Sequence, residues 1–228
     1  VMADDILRRI ERLFSFLGFI ALVGIVLMLA NMMGLLPASG GTPISEAQEL
    51  PRGRIALISG HAGSDSGAVC EDAAGQVTLT EADVVAAITQ RTAQFLTDAG
   101  YDAFVLEEYD PRLNGLTADV LLSLHADSCV QISGYKAAYQ EGSPMPMAGD
   151  RILECIDANY AAVTGLSKHA DTVTHDMTQY HAFRKIDPRT PAVILELGFL
   201  GGDYDLLIGQ PDLVARGVAQ SLLCFLQE

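Results

Sequence analysis

Positive charge is scarce in this chain of 228 residues: 14 Lys and Arg stand against 29 Asp and Glu, for a formal net charge of −15. Such an acidic surface repels phosphate backbones and disfavours nucleic-acid binding. Cysteine is sparse as well. Cys70, Cys129, Cys155 and Cys224 contain no C-x-x-C pair, so a structural zinc ribbon has no support. Cys70 and Cys129 each fall beyond a strand and are able to meet, but four buried free thiols fit the spacing equally well, and the pairing stays open. Gly60, Gly63 and Gly67 match neither G-x-G-x-x-G nor G-x-x-x-x-G-K-[ST], which removes the usual phosphate loops. There is no H-E-x-x-H motif, and no internal repeat at solenoid periods.

Charge of either sign is missing altogether from Leu13 to Leu36, "LFSFLGFIALVGIVLMLANMMGLL". As a helix this run is about 36 Å long, enough to cross a bilayer with some tilt. Arg8, Arg9 and Arg12 precede it and no Lys or Arg follows until Arg52, so the positive-inside rule predicts a cytoplasmic amino terminus with the rest outside. The apolar region of a cleaved signal peptide is shorter, about 7 to 15 residues, although the small residues of "PASGG" leave cleavage after the span as an alternative. Residues 1–12 carry three Arg against Asp4, Asp5 and Glu11, so the acidic excess belongs to the outer part. The expected organisation is a cytoplasmic segment (1–12), a transmembrane anchor in the lipid bilayer (13–36), a linker (37–53) and one globular domain (54–228). In an extracytoplasmic domain disulfides are permitted.

From Arg54 onward, strand and helix patterns alternate. "RIALIS", "DAFVLEE", "DVLLSLHAD", "GYKAAYQ" and "PAVILELGF" read as strands. "LTEADVVAAITQRTAQFLTDAG" reads as an amphipathic helix with Thr80 as N-cap and Gly100 at its end. "RILECIDANYAAVTG" predicts a second helix ending at Gly165, and "PDLVARGVAQSLLCFL" a last one starting at Pro211. The pattern predicts an α/β domain whose central sheet is covered by helices. Ligands of such folds gather beyond the carboxyl ends of the strands.

Four polar residues fall at or near that rim. His61 follows the first strand in "LISGHAGSDSGA", His125 lies near the end of "DVLLSLHAD", and Glu196 interrupts "AVILELGF". Glu81 opens the helix after the His61 loop, where an acid commonly does no more than favour the helix dipole. A buried carboxylate such as Glu196 needs a cation, hydrogen-bond donors or a raised pKa. Its structural alternative is a salt bridge with Arg184, Lys185 or Arg189. Two His and one Glu can hold zinc with a fourth position open for water, and a second acid beside that water completes a hydrolase. His169, His175 and His181 are six residues apart, never one helical turn, and predict no second metal site. Substrate contact by His175 or His181 competes with a plain solvated loop.

"GHAGSDSGA", the acid of "LTEADVV", "ADVLLSLHAD", "SGYKAAY" and "TPAVILELGFL" together resemble, in order, the motifs of the zinc-dependent N-acetylmuramoyl-L-alanine amidases. The resemblance covers about Ile55 to Leu226. It implies a phosphorylase/hydrolase-like fold, a mixed sheet of about six strands sandwiched by helices. It implies Zn2+ ligands His61, Glu81 and His125, with Glu196 as catalytic acid/base. It also implies peptidoglycan as substrate, cut between N-acetylmuramic acid and the first alanine of the stem. The family often has Asn where this chain has Asp127, and "GFLSN" appears here as "GFLGG". A zinc hydrolase acting on another amide and an inactive, membrane-tethered wall-binding subunit are the competing readings.

Overall fold

The computed structural model describes residues 17, 18, 20–26, 28–30, 32–33 and 50–227. The chain divides into two compact units, Val1–Leu50 and Pro51–Glu228. In the first, residues 17, 18, 20–26, 28–30 and 32 are helical (α1). Leu17, Ile20, Leu22, Ile25, Val26 and Met28 of this helix are all exposed. Among the described residues no helix is long and apolar enough to cross a membrane. The expected segment 1–12, much of the expected span 13–36 and most of the linker 37–53 lie outside the described residues.

The second unit is built on five strands: β1 (Arg54–Ser59), β4 (Asp102–Leu106), β5 (Val120–Asp127), β6 (Lys136–Tyr139) and β7 (Ala192–Phe199). Their order is β4-β1-β5-β7-β6, with all neighbours parallel except the edge strand β6, which runs antiparallel to β7. The sheet is thus mixed as expected, with five strands among the described residues where the resemblance implied about six. A separate antiparallel hairpin, β2 (Val69–Glu71) and β3 (Val77–Thr80), fills the stretch between the His61 loop and the first long helix. No apolar period marks these two short strands in the sequence.

Continuous apolar runs mark strands buried on both faces, and Ile55 through Ile58 are all fully buried. Alternate residues serve two cores. Ile55, Leu57, Val120, Leu122, Leu124, Val193 and Leu195 join the larger one. Ala56, Ile58, Leu121 and Ile194 join the smaller. The larger core takes in the three long helices, α2 (Glu81–Asp98), α3 (Pro146–Thr164) and α6 (Pro211–Leu226). The smaller is closed by residues of short helical turns, among them Leu113, Met177, Ala182 and Phe183. The long helices therefore flank one face only. Hydrophobic period assigns a side to be buried but says nothing about which sheet face receives it.

Thr80 caps α2, its Oγ1 accepting from Asp83 N at 3.2 Å. Gly165, in the left-handed region at φ 75°, closes α3. Pro211 opens α6, whereas α3 begins at Pro146, five residues before the predicted Arg151. β4 stops at Leu106, so Glu107 and Glu108, expected in the strand, belong to the turn beyond it. Disulfides join Cys70 to Cys129 and Cys155 to Cys224. The first ties the β2–β3 hairpin to the chain just past β5; the second ties α3 to α6.

Candidate functional site

His61 stands two residues beyond β1, in the left-handed backbone region at φ 64°. That conformation costs a non-glycine residue about 1–2 kcal/mol. It is held by the surroundings: the His61 amide donates to Glu108 Oε2 at 3.0 Å. Glu81 is the first residue of α2, buried to 5 % exposure, and points back under the same loop. His125 lies on β5, one residue past Leu124.

The three side chains converge. Glu81 Oε1 lies 3.2 Å from His61 Nε2 and 3.1 Å from His125 Nδ1. It also accepts from Ala126 N at 3.1 Å, while Glu81 Oε2 accepts from Ala68 N at 3.0 Å. The glycines around His61 now have a reason. A Cβ on Gly60 would sit 2.6 Å from His125 Nδ1, and one on Gly67 would sit 2.5 Å from Glu81 Oε2. The loop is stripped of side chains where it passes the converging groups.

Each imidazole has a second carboxylate at its far side. His61 Nδ1 is 2.6 Å from Asp65 Oδ1, and His125 Nε2 faces Glu108 Oε2 at 3.6 Å. Burial drives the Glu81 carboxyl up, but hydrogen bonds from His125, His61 and the Ala68 amide outweigh it and hold the group well below the usual range. His61 is raised to about 9, chiefly by its hydrogen bond to Glu81, against an opposing contribution from burial. For His125 burial pulls downward, and the Glu81 hydrogen bond with the charges of Glu196 and Glu108 reverses the sign.

Glu196 pairs with His125 across the β5–β7 ladder and with Lys136 across β6–β7. Its Oε2 is buried without a hydrogen-bond partner. Burial pushes its pKa up to about 7; His125 and Lys136 pull it down, Glu81 and Asp127 push it up. Among the described residues the alternative, a salt bridge of Glu196 with Arg184, Lys185 or Arg189, does not form. Arg189 bonds Asp187, Lys185 lies over the Tyr109 ring and Arg184 is exposed. The cation beside Glu196 is Lys136, whose Nζ is ion-paired to Asp127.

Of the three downstream histidines, His175 is exposed. His169 is tied to Thr172 Oγ1 at 2.8 Å. His181 departs from the solvated-loop reading. Its Nε2 is 2.8 Å from Glu108 Oε1 and its ring stacks on Tyr109 with centroids 4.4 Å apart. Glu108 itself escaped the sequence reading, although a pair of acids directly after a strand on the ligand-binding rim was the available signal.

A tetrahedral ion with bonds of about 2.0–2.1 Å sets its donor atoms roughly 3.4 Å apart. Glu81 Oε1 stands close to that distance from both imidazole nitrogens, and one donor atom from each of His61, Glu81 and His125 lies within 4.8 Å of the others. The donor set is right for zinc, and the His61 side chain, 25 % exposed, leaves one side open to solvent. The residues present fit a catalytic metal.

The sequence profile of the N-acetylmuramoyl-L-alanine amidase family matches residues 55–209. No curated protein sequence matches significantly. Several solved structures share the fold. The catalytic domain of the amidase CwlV from Bacillus (Paenibacillus) polymyxa var. colistinus is 20% identical, with 76% of this chain and 98% of that one covered at a TM-score of 0.56. For AmiC2 of Nostoc punctiforme the values are 22%, 78%, 98% and 0.53. For an N-acetylmuramoyl-L-alanine amidase from Clostridium difficile 630 they are 18%, 77%, 97% and 0.59. With the match spanning more than half its length and the fold shared, this chain belongs to the N-acetylmuramoyl-L-alanine amidase family.

Proposed function

We propose that this chain is a zinc-dependent, membrane-anchored amidase that hydrolyses the bond between N-acetylmuramic acid and L-alanine in peptidoglycan. One observation carries the metal reading: a single carboxylate oxygen of Glu81 lies within 3.2 Å of one nitrogen from each of two imidazoles, and both opposite nitrogens face carboxylates. Ligating histidines are commonly oriented in this way.

His61, Glu81 and His125 would hold the ion, and zinc bound there would supply Lewis acidity, polarising the scissile carbonyl and acidifying a water. Glu196 handles the proton. With a pKa near 7 its carboxyl exchanges a proton readily at neutral pH. It accepts one from the attacking water, then delivers it to the alanine nitrogen as the C–N bond breaks. The rim position of all four residues matches where α/β folds bind ligands.

Anchoring and an extracytoplasmic site rest on the charge-free run from Leu13 to Leu36 behind Arg8, Arg9 and Arg12. The exposed apolar side chains of α1 need a cover, which a bilayer supplies. Two disulfides suit an oxidising compartment. The test is release of stem peptides from purified peptidoglycan by the full chain in detergent. Activity should vanish with a chelator and return with zinc. Cleavage that persists in the metal-free protein would overturn the metal reading, and release of free amino acids from bare peptides instead of wall would overturn the substrate.

A further inference from the structure

Glu108 is a carboxylate that the chemistry above leaves without a task, yet it is 5 % exposed and burial alone would make it costly. Its two oxygens face different partners. Oε1 accepts from Tyr180 Oη at 2.8 Å and is 2.8 Å from His181 Nε2. Tyr180 is itself fastened to β5, its hydroxyl accepting from Ser123 Oγ at 3.0 Å. Oε2 accepts from the His61 amide at 3.0 Å and faces His125 Nε2 at 3.6 Å. One side of the carboxylate is thus anchored to the scaffold; the other holds the His61 amide and is the carboxylate oxygen that faces His125 Nε2, a buried nitrogen with no hydrogen-bond partner among the described residues.

These contacts have a consequence for the imidazoles. A neutral imidazole carries one N–H and one lone pair, and the partner at one nitrogen decides where the lone pair lies. A proton on His125 Nε2, facing Glu108, leaves the Nδ1 lone pair directed at the Glu81 side. Asp65 does the same for His61 from Nδ1, leaving Nε2 free. Asp65, however, is exposed and belongs to the His61 loop, whereas Glu108 arrives from the turn beyond β4. Its hydrogen bond to the His61 amide also holds the residue whose backbone lies at φ 64°.

We propose that Glu108 is the positioning residue of the metal site, fixing the His61 backbone and the His125 ring so that their free nitrogens converge beside Glu81. The inference rests on the zinc reading above. Glu108 stands outside the converging set of His61, Glu81 and His125, because it meets His125 at the ring nitrogen opposite the one that faces Glu81. In Glu108→Gln one oxygen becomes an NH2 group, which must meet donors on whichever side it turns.

The experiment is a zinc titration of the metal-stripped full chain in detergent against a chromophoric chelator of known affinity, with folding followed by circular dichroism. Glu108→Gln should bind zinc about 10–100-fold more weakly than the wild type, the usual loss for an outer partner of a ligating histidine. Tyr180→Phe, a milder change that removes one anchor of Oε1, should lose about three- to tenfold, the value of one hydrogen bond. It also serves if Glu108→Gln does not fold. Folded variants that bind zinc within about twofold of the wild type overturn the role given to Glu108 while leaving the metal site standing. A wild-type chain that takes up no zinc overturns the metal reading first, and this inference with it.

Discussion

Glu196 and His125 are directly paired on adjacent parallel strands, β7 and β5. By strand alternation both side chains fall on the face of Leu121 and Ile194, the side free of long helices. The acid therefore stands beside the cluster without being one of its three converging donors.

Glu196→Gln follows from this placement. The amide keeps the shape and removes the exchangeable carboxyl proton, so zinc uptake should be unchanged. Turnover on peptidoglycan should fall by about 10²–10⁴-fold, the usual worth of a positioned acid/base. Parallel zinc analysis and product release check both halves. A variant that cleaves at the wild-type rate removes Glu196 from the chemistry.

Stability of the metal-free protein should decline as pH rises. The Glu196 pKa is raised from 4.5 to about 7, so the fold favours the protonated form. That contribution is complete below about 4.5 and disappears as pH passes about 7, a change of about 3 kcal/mol. His61, raised from 6.5 to about 9, adds a loss in the same direction between those values. Thermal unfolding of metal-free wild type and Glu196→Gln across pH 5 to 9 tests this: the variant should lack the part of the decline that runs between about pH 5 and 7.

Gly67→Ala should damage the site from within the loop. Its φ of 61° strains any side chain, and the new Cβ would stand 2.5 Å from Glu81 Oε2 and 2.8 Å from His61 Cδ2. A stability loss of about 1–3 kcal/mol is expected, together with weaker zinc binding. Denaturant unfolding and the zinc titration measure the two effects separately. Unchanged zinc affinity would show that the loop relaxes away from the cluster.

The two disulfides should differ in what they protect. Cys70–Cys129 joins the hairpin lying between His61 and Glu81 to the chain four residues past His125. Cys155–Cys224 joins two helices on the larger core. Replacing either pair by Ser should cost about 2–4 kcal/mol. Only the first replacement should also lower zinc affinity. Equal zinc binding in both double variants would refute the distinction.

Much of this molecule was legible along the chain. The β1, β5 and β7 runs declared themselves as apolar stretches, and His61, His125 and Glu196 each break or follow one, while Glu81 opens the first long helix. Glu108 was not legible, because "LEEY" reads as two solvated acids; its burial is produced by Tyr180 and His181, more than seventy residues away. His181 was hidden for the same reason. The hairpin β2–β3 is too short to carry a periodic signal, and the cysteine spacing admitted several pairings.

By itself the amino-acid order determined which stretches become strands and helices, since apolar period and capping residues are local properties. It also determined which acids and imidazoles stand where strands end. Tertiary structure alone decided that the long helices cover one face, which cysteines meet, and that Glu108 faces both histidines. Those outcomes depend on contacts between distant segments, and neither burial nor distance is encoded at any single position.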